Sequence, residues 1–136
     1  MAELDFAMLA EYARVDPAGL LTVAGGAFDQ IEAPGPGLVQ RMALAFRLTF
    51  EPDEASTTLE IKINQPGNDS FALGLSSTVS PQVEGRKIVT KPAVVMAVDM
   101  GFPVMAAGRY IVQIIVAGQL VKELPFDVRF INGPED

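Results

Sequence analysis

Histidine and cysteine are both absent from this chain, so its side-chain chemistry must come from 17 acids, ten Lys and Arg residues, two tyrosines and the hydroxyls. Without histidine the commonest general base and metal ligand is missing. Without cysteine there can be no disulfide, thiolate nucleophile, iron–sulfur cluster or thiolate zinc site. What remains is carboxylate chemistry, and acid/base hydrolysis or hard-cation binding needs acids brought together. Glu51, Asp53 and Glu54 form the densest group, and Asn68-Asp69 lies across the next connection. The run lacks the regular oxygen spacing and glycine of a dedicated calcium loop, so it reads as a solvated turn. Ser76 and Ser77 have no Gly-x-Ser-x-Gly elbow, and Ser56, Ser70 and Ser80 lie in turn-like contexts. Gly25-Gly26 and Gly35-Pro36-Gly37 are not phosphate loops, because neither is followed by Lys-Ser/Thr or opens a helix. No catalytic, metal or cofactor-binding residue is expected, and the chain reads as a non-enzyme.

Two other groups of residues stand out. Residues 94–107 hold Met96, Met100 and Met105 with Phe102 and a single charge, Asp99. Methionine adapts to irregular partners and exposed apolar patches mark contacts, so these four residues are the candidate partner surface; the plainer reading is an inner strand covering the core. Gly108-Arg109-Tyr110 resembles the Gly-x-Tyr of a tyrosine corner, in which a Tyr near the start of a strand hydrogen-bonds back to nearby backbone. Gly108 and Tyr110, with Gly25 and Gly26, are therefore expected to be structural, the glycine pair marking a bulge or a close backbone approach.

The elements that must position these residues are strands. Met42, Leu44, Phe46, Leu48 and Phe50 alternate with Arg41, Ala43, Ala45, Arg47 and Thr49, the period of a strand with one buried face. Leu59, Ile61 and Ile63 repeat the pattern after Glu51-Pro52-Asp53-Glu54, and the two runs are expected to pair as neighbours. Pro66-Gly67-Asn68-Asp69 turns the chain into a short strand with Phe71, Leu73 and Leu75. Residues 80–87 read as a loop, and residues 88–98 as an apolar strand with Pro92 at an edge or bulge. Tyr110, Val112, Ile114 and Val116, the turn Ala117-Gly118, and Leu124, Phe126, Val128 and Phe130 make the best hairpin. Residues 4–15 have helical propensity, yet their alternation and the turn Asp16-Pro17-Ala18-Gly19 favour a hairpin with residues 20–23. The sum is one all-β domain over residues 1–131, an immunoglobulin-like antiparallel sandwich of seven or eight strands, with a loose tail at 132–136.

Composition agrees with a single folded domain. At 136 residues with 49% hydrophobic and 20% charged side chains, the chain has ample apolar surface to offset ordering entropy. Its net charge of −7 and scattered Lys and Arg argue against nucleic acid and anionic membranes as partners. The acidic opening Met1-Ala2-Glu3-Leu4-Asp5-Phe6 has no secretory pattern, so a cytoplasmic location is expected.

The block from Asp5-Phe6-Ala7 through Glu11-Tyr12-Ala13, then Gly19-Leu20-Leu21-Thr22 through Gly25-Gly26 with Phe28-Asp29, and finally Gly108-Arg109-Tyr110 and Gly118 with Pro125-Phe126-Asp127-Val128, resemble a family of small uncharacterised bacterial β-sandwich proteins, a domain of unknown function. The likeness spans nearly the whole chain and implies a single sandwich domain; it brings no activity or cofactor. The expected function is a binding or assembly module acting on a protein partner or on further copies of itself. The rival is a sandwich holding a small molecule, sugar or calcium in residues 51–56 and 67–70, for which the lack of Trp is a poor basis for stacking a sugar.

Overall fold

The computed structural model describes residues 1–67, 71–82 and 91–131. Among them are nine strands and no helix: β1 (Glu3–Val15), β2 (Leu21–Gly26), β3 (Gln30–Ala33), β4 (Leu38–Thr49), β5 (Thr57–Asn64), β6 (Phe71–Val79), β7 (Ala93–Val104), β8 (Gly108–Val116) and β9 (Gln119–Phe130). They form two sheets, β2-β1-β4-β7 and β3-β9-β8-β5-β6. Every neighbouring pair is antiparallel except β3, which runs parallel to β9. Two such sheets packed face to face, with the chain changing sheet at β2–β3, β3–β4, β4–β5, β6–β7 and β7–β8, make an immunoglobulin-like sandwich. The ninth strand is β3, whose four residues are too few to show a period. The expected loose tail at 132–136, Asn68-Asp69, and residues 83–90 of the expected loop and strand lie outside the described residues.

The core is the set of inward positions of both sheets, including Leu44 and Phe46 of β4, Ile61 and Ile63 of β5, Val112 and Ile114 of β8, and Phe126 of β9. Burying each such side chain stabilises the fold by roughly 1.5–3 kcal/mol. At the β8–β9 turn Ala117 and Gly118 both take positive φ, 52° and 78°, the twist that a two-residue hairpin requires. In the first hairpin, Asp16 Oδ1 accepts hydrogen bonds from the N–H groups of Ala18 and Leu20, both at 2.9 Å. β1 is then paired on both sides, with β2 and with β4, and this outweighs the helical propensity of its residues.

Two sequence expectations are corrected. β4 and β5 are not neighbours: β4 lies between β1 and β7, and β5 between β6 and β8, because the turn that follows β4 carries the chain across to the other sheet. Nor is only one face of β4 buried. Ala43 and Ala45, on its outer face, are 1% and 0% exposed. In register across that face run Met8, Ala45 and Ala97, and beside them Ala10 and Ala43. The first sheet curls over these small side chains until Cα atoms of β2 come within 8 Å of β7, although β1 and β4 separate the two strands. Ala10, Ala13, Ala43 and Ala45, with Leu21, Val23 and Ala97, thus make a second, smaller apolar cluster. Alanine is needed there because a longer side chain would hold the curl open.

The crossing from β7 to β8 is fixed by Tyr110. Its hydroxyl donates to the carbonyl oxygen of Ala106 at 2.8 Å, four residues back, while its ring is fully buried. The ring stacks on Phe126 at 5.3 Å between centroids, and Phe102 of β7 lies 6.0 Å from Tyr110 and 6.2 Å from Phe126. Gly108 sits at φ +129°, and a Cβ there would press within 3.1 Å of Pro66.

Tyr110→Phe removes the donor and leaves a carbonyl at the crossing without its partner, so a urea titration should show a loss of about 0.5–1.5 kcal/mol with the far-ultraviolet dichroism unchanged. An unaltered midpoint would show that the hydroxyl contributes nothing to the crossing. Ala45→Leu overfills the curl and should cost about 1–3 kcal/mol in the same titration; a stability equal to the parent's would mean that the outer face has room to spare.

Candidate functional site

The inward side chains of β7 are not buried evenly. Met100, Phe102 and Val104 are at most 2% exposed, whereas Val94, Met96 and Val98 are only half-buried. The covering sheet explains the difference. Phe102 meets Tyr110 and Phe126, near the centre of the five-stranded sheet, whereas Met96 and Val98 meet β5 and β6, at its margin. An apolar cleft of about 220 Å³ opens here between the sheets, lined by Leu59, Ile61 and Leu75 with Met96 and Val98, and by Ser76 and Ser77.

The four residues expected to form one partner surface therefore separate. Met100 and Phe102 point into the core and are no part of any surface, because strand alternation sends them inward with Val104. Met105 is exposed at 58%, just beyond the end of β7. Only Met96 lies in the cleft. Its main companion, Leu75, is 39% exposed even though its partner on β5, Ile61, is core. Nothing in the sequence near Leu75 signals this, because the exposure arises from β6 overhanging the edge of the opposite sheet.

β6 is also the margin of its sheet and pairs only with β5 among the described residues. Every second N–H and C=O along it faces away from the sheet. Its residues, Phe71 to Val79, include neither a charge nor a proline, and residues 74–78 are all exposed. The other margins are protected. β7 carries Asp99 and Pro103, β3 has four residues including Glu32, and β2 is short and bent at Gly25, whose φ is +62°. A Cβ on Gly25 would run into the Glu11 carboxyl, and one on Gly26 would come within 2.7 Å of Val23 and 3.2 Å of Met8 Sδ, so both glycines serve close approach.

On the far side of the sandwich a groove of about 420 Å³ is lined by Glu11, Gln30, Glu32, Gln40 and Arg41 around Phe28 and Ile31. No local pattern signals that these charges meet, since they come from β1, β3 and β4. All three charged side chains are exposed to water, which leaves them the character of a solvated rim.

The acidic turn between β4 and β5 is occupied by its own structure. Glu54 accepts hydrogen bonds from the N–H of Glu51 at 3.1 Å and of Ala2 at 2.9 Å, one on each oxygen. Glu51 pairs with Lys91 at 3.1 Å, and this holds the Lys91 ammonium above its ordinary pKa. Among the described residues no three acids are placed to hold a metal ion. The Glu51 N–H, more than burial opposes it, holds the Glu54 carboxyl below the usual carboxylate range. A lowered pKa means that the folded state prefers the ionised form, so the contribution to stability is present above the unfolded pKa and disappears as pH falls through the folded value. Glu54→Gln should therefore lower the thermal midpoint at neutral pH, and the gap from the parent should close on acidification; a gap independent of pH would show that the charge on Glu54 plays no part.

No curated protein matches the chain. Among solved structures, an immunoglobulin-like protein of Pseudomonas aeruginosa is similar over 95% of this chain and 97% of its own, at 12% identity and a TM-score of 0.48. An alkylpurine DNA glycosylase of Pseudomonas fluorescens, solved bound to DNA containing an abasic-site analogue, is similar over 94% of this chain at 13% identity and a TM-score of 0.46; the chain spans only 30% of that enzyme's length. The model of the family of unknown function DUF6941 matches residues 5–129, and the chain belongs to that family.

Proposed function

We propose that this chain is a cytoplasmic binding or assembly module without catalytic activity, and that it works through protein–protein contact at the open side of the sandwich, where β6 overhangs β7. The observation that carries this reading is the pairing of an unguarded strand edge with an apolar cleft directly beneath it. An added strand can satisfy the outward N–H and C=O groups of β6 while its inward side chains enter the cleft, the division of labour by which strand addition obtains affinity from backbone and specificity from pockets. The missing histidine and cysteine support a role in binding over one in turnover. Net charge of −7 supports a protein partner over nucleic acid or an anionic membrane surface. The rival of a calcium-holding turn is weakened because Glu54 already accepts from two backbone N–H groups and Glu51 already has Lys91.

Leu75→Glu puts a charge at the mouth of the cleft on a side chain that already meets solvent, so the isolated chain should tolerate it. Tagged parent and variant, used as bait in native cell extract, should differ: protein retained by the parent is lost from the variant, with thermal midpoints of the two baits a few degrees apart at most. Identical recovery on both baits would remove the cleft as the point of contact.

A further inference from the structure

From the β6 edge and its cleft we infer that the strand added to β6 is β6 of a second copy of this chain, the two copies pairing antiparallel about a two-fold axis near Leu75. This rests on the reading of the open side as a contact surface and names its occupant.

Charge gives the first argument. Each copy carries −7, so two copies repel unless they meet where neither presents a charge. β6 is the one strand at a sheet margin, among the described residues, that is longer than six residues and free of both charge and proline. β7 has Asp99 and Pro103, β3 has Glu32, and β2 has six residues.

Self-complementarity gives the second. Leu75 is the middle residue of β6, and a two-fold axis there sets Leu75 against Leu75 of the second copy, Leu73 against Ser77, and Phe71 against Val79. Leu73, Leu75, Ser77 and Val79 share the inward face, opposite Ile63, Ile61, Leu59 and Thr57 of β5. The inward face thus continues from one copy into the other. On the opposite face Gly74, Ser76 and Thr78 are small and present no bulk to the approaching strand, and the one large side chain there, Phe71, stands at the strand's start opposite Asn64, where a register shift sets its ring 4.8 Å from Lys62 Nζ. Beneath the joined strands each cleft, with its Met96 and Val98, opens toward the cleft of the second copy. The half-buried inward side chains of β7 then acquire the cover that their own five-stranded sheet does not extend far enough to give. The two five-stranded sheets become one sheet of twice that width, an isologous interface of the kind that closes most two-subunit assemblies.

Light scattering on the purified chain at micromolar concentration should give twice 14.5 kDa. Leu75→Lys places two like charges at the axis and should raise the dissociation constant at least tenfold, by about the cost of juxtaposed like charges in a dry contact. Register is read separately by a nitroxide on Thr78→Cys, which lies on the opposite face from the cleft in a chain with no other cysteine. In this pairing Thr78 faces Ala72 of the second copy, so the two labels stand six residues apart along the strands, roughly 20 Å. That distance stands whether or not Leu75→Lys folds. A chain that stays at 14.5 kDa overturns the second copy as occupant, and if Leu75→Glu nevertheless loses its partner from extract, the contact surface survives with a foreign strand upon it. A two-chain mass with labels far beyond that distance overturns β6 as the place of pairing.

Discussion

The stack of Tyr110 on Phe126, with Phe102 leaning against both, joins the two sheets at the point where the chain crosses from β7 to β8. Phe102 belongs to the four-stranded sheet and the other two rings to the five-stranded one, so this contact sets how the sheets overlie each other. With the Tyr110 hydroxyl held on the Ala106 carbonyl, the start of β8 cannot shift against the end of β7 without breaking a half-buried hydrogen bond. The consequences run outward along β7. Phe102 lies against Tyr110 of β8 and Phe126 of β9, and positions 100, 102 and 104 are sealed; Met96 and Val98 line the cleft at β5 and β6 and, with Val94, are not. An aromatic clamp away from that margin, together with sheets of four and five strands, leaves an overhang at the other end as a matter of geometry.

The molecule treats its four sheet margins differently, and the difference follows from side chains. The first sheet protects β2 by curling: alanines at 10, 43 and 45 bring β2 toward β7, a packing that valine or leucine at those positions would prevent. β3 is held parallel to β9, and its short run ends after Ala33, before Pro34 could be asked for a ladder hydrogen bond. Only β6 keeps nine residues of uncharged, proline-free edge.

Much of the fold was legible because it rests on local repetition. Alternation at 42–50 and the Ala117-Gly118 turn each specify a strand or hairpin without reference to the rest of the chain. Three features were hidden for physical reasons. Ala43 and Ala45 sit between polar and apolar in the alternating pattern, so burial of their face depends on the curl of neighbouring strands. The assignment of β4 and β5 to different sheets is decided by what each strand pairs with, and similar alternation in two consecutive strands is equally compatible with pairing or crossing. The methionines at 96, 100 and 105 share one composition signal, but strand alternation and the position of the opposite sheet give them three different environments. The cleft belongs to this last class: Leu75 and Met96 come from opposite sheets, and only the offset between those sheets makes them neighbours.

An exposed, uncharged edge is ordinarily a route to uncontrolled association. Here the geometry limits it. A two-fold contact uses the β6 margin of both copies and leaves at the ends of the combined sheet only β3, four residues long with Glu32 among them. A third copy would have to add to that short, charged strand or to the margins of the four-stranded sheet, where β2 bends at Gly25 and β7 carries Asp99 and Pro103, so growth stops at closure and does not run on as a fibre. Along the outward face of β6, Gly74, Ser76 and Thr78 are too small to stack sheets into dry zippers, and the Phe71 ring at the strand's start is capped by the Lys62 ammonium. Charge acts in the same direction, since the remainder of each copy bears the −7 that discourages any approach other than the neutral one. The features that expose β6 are therefore specific to one mode of contact, in which backbone pairing and cleft filling occur together.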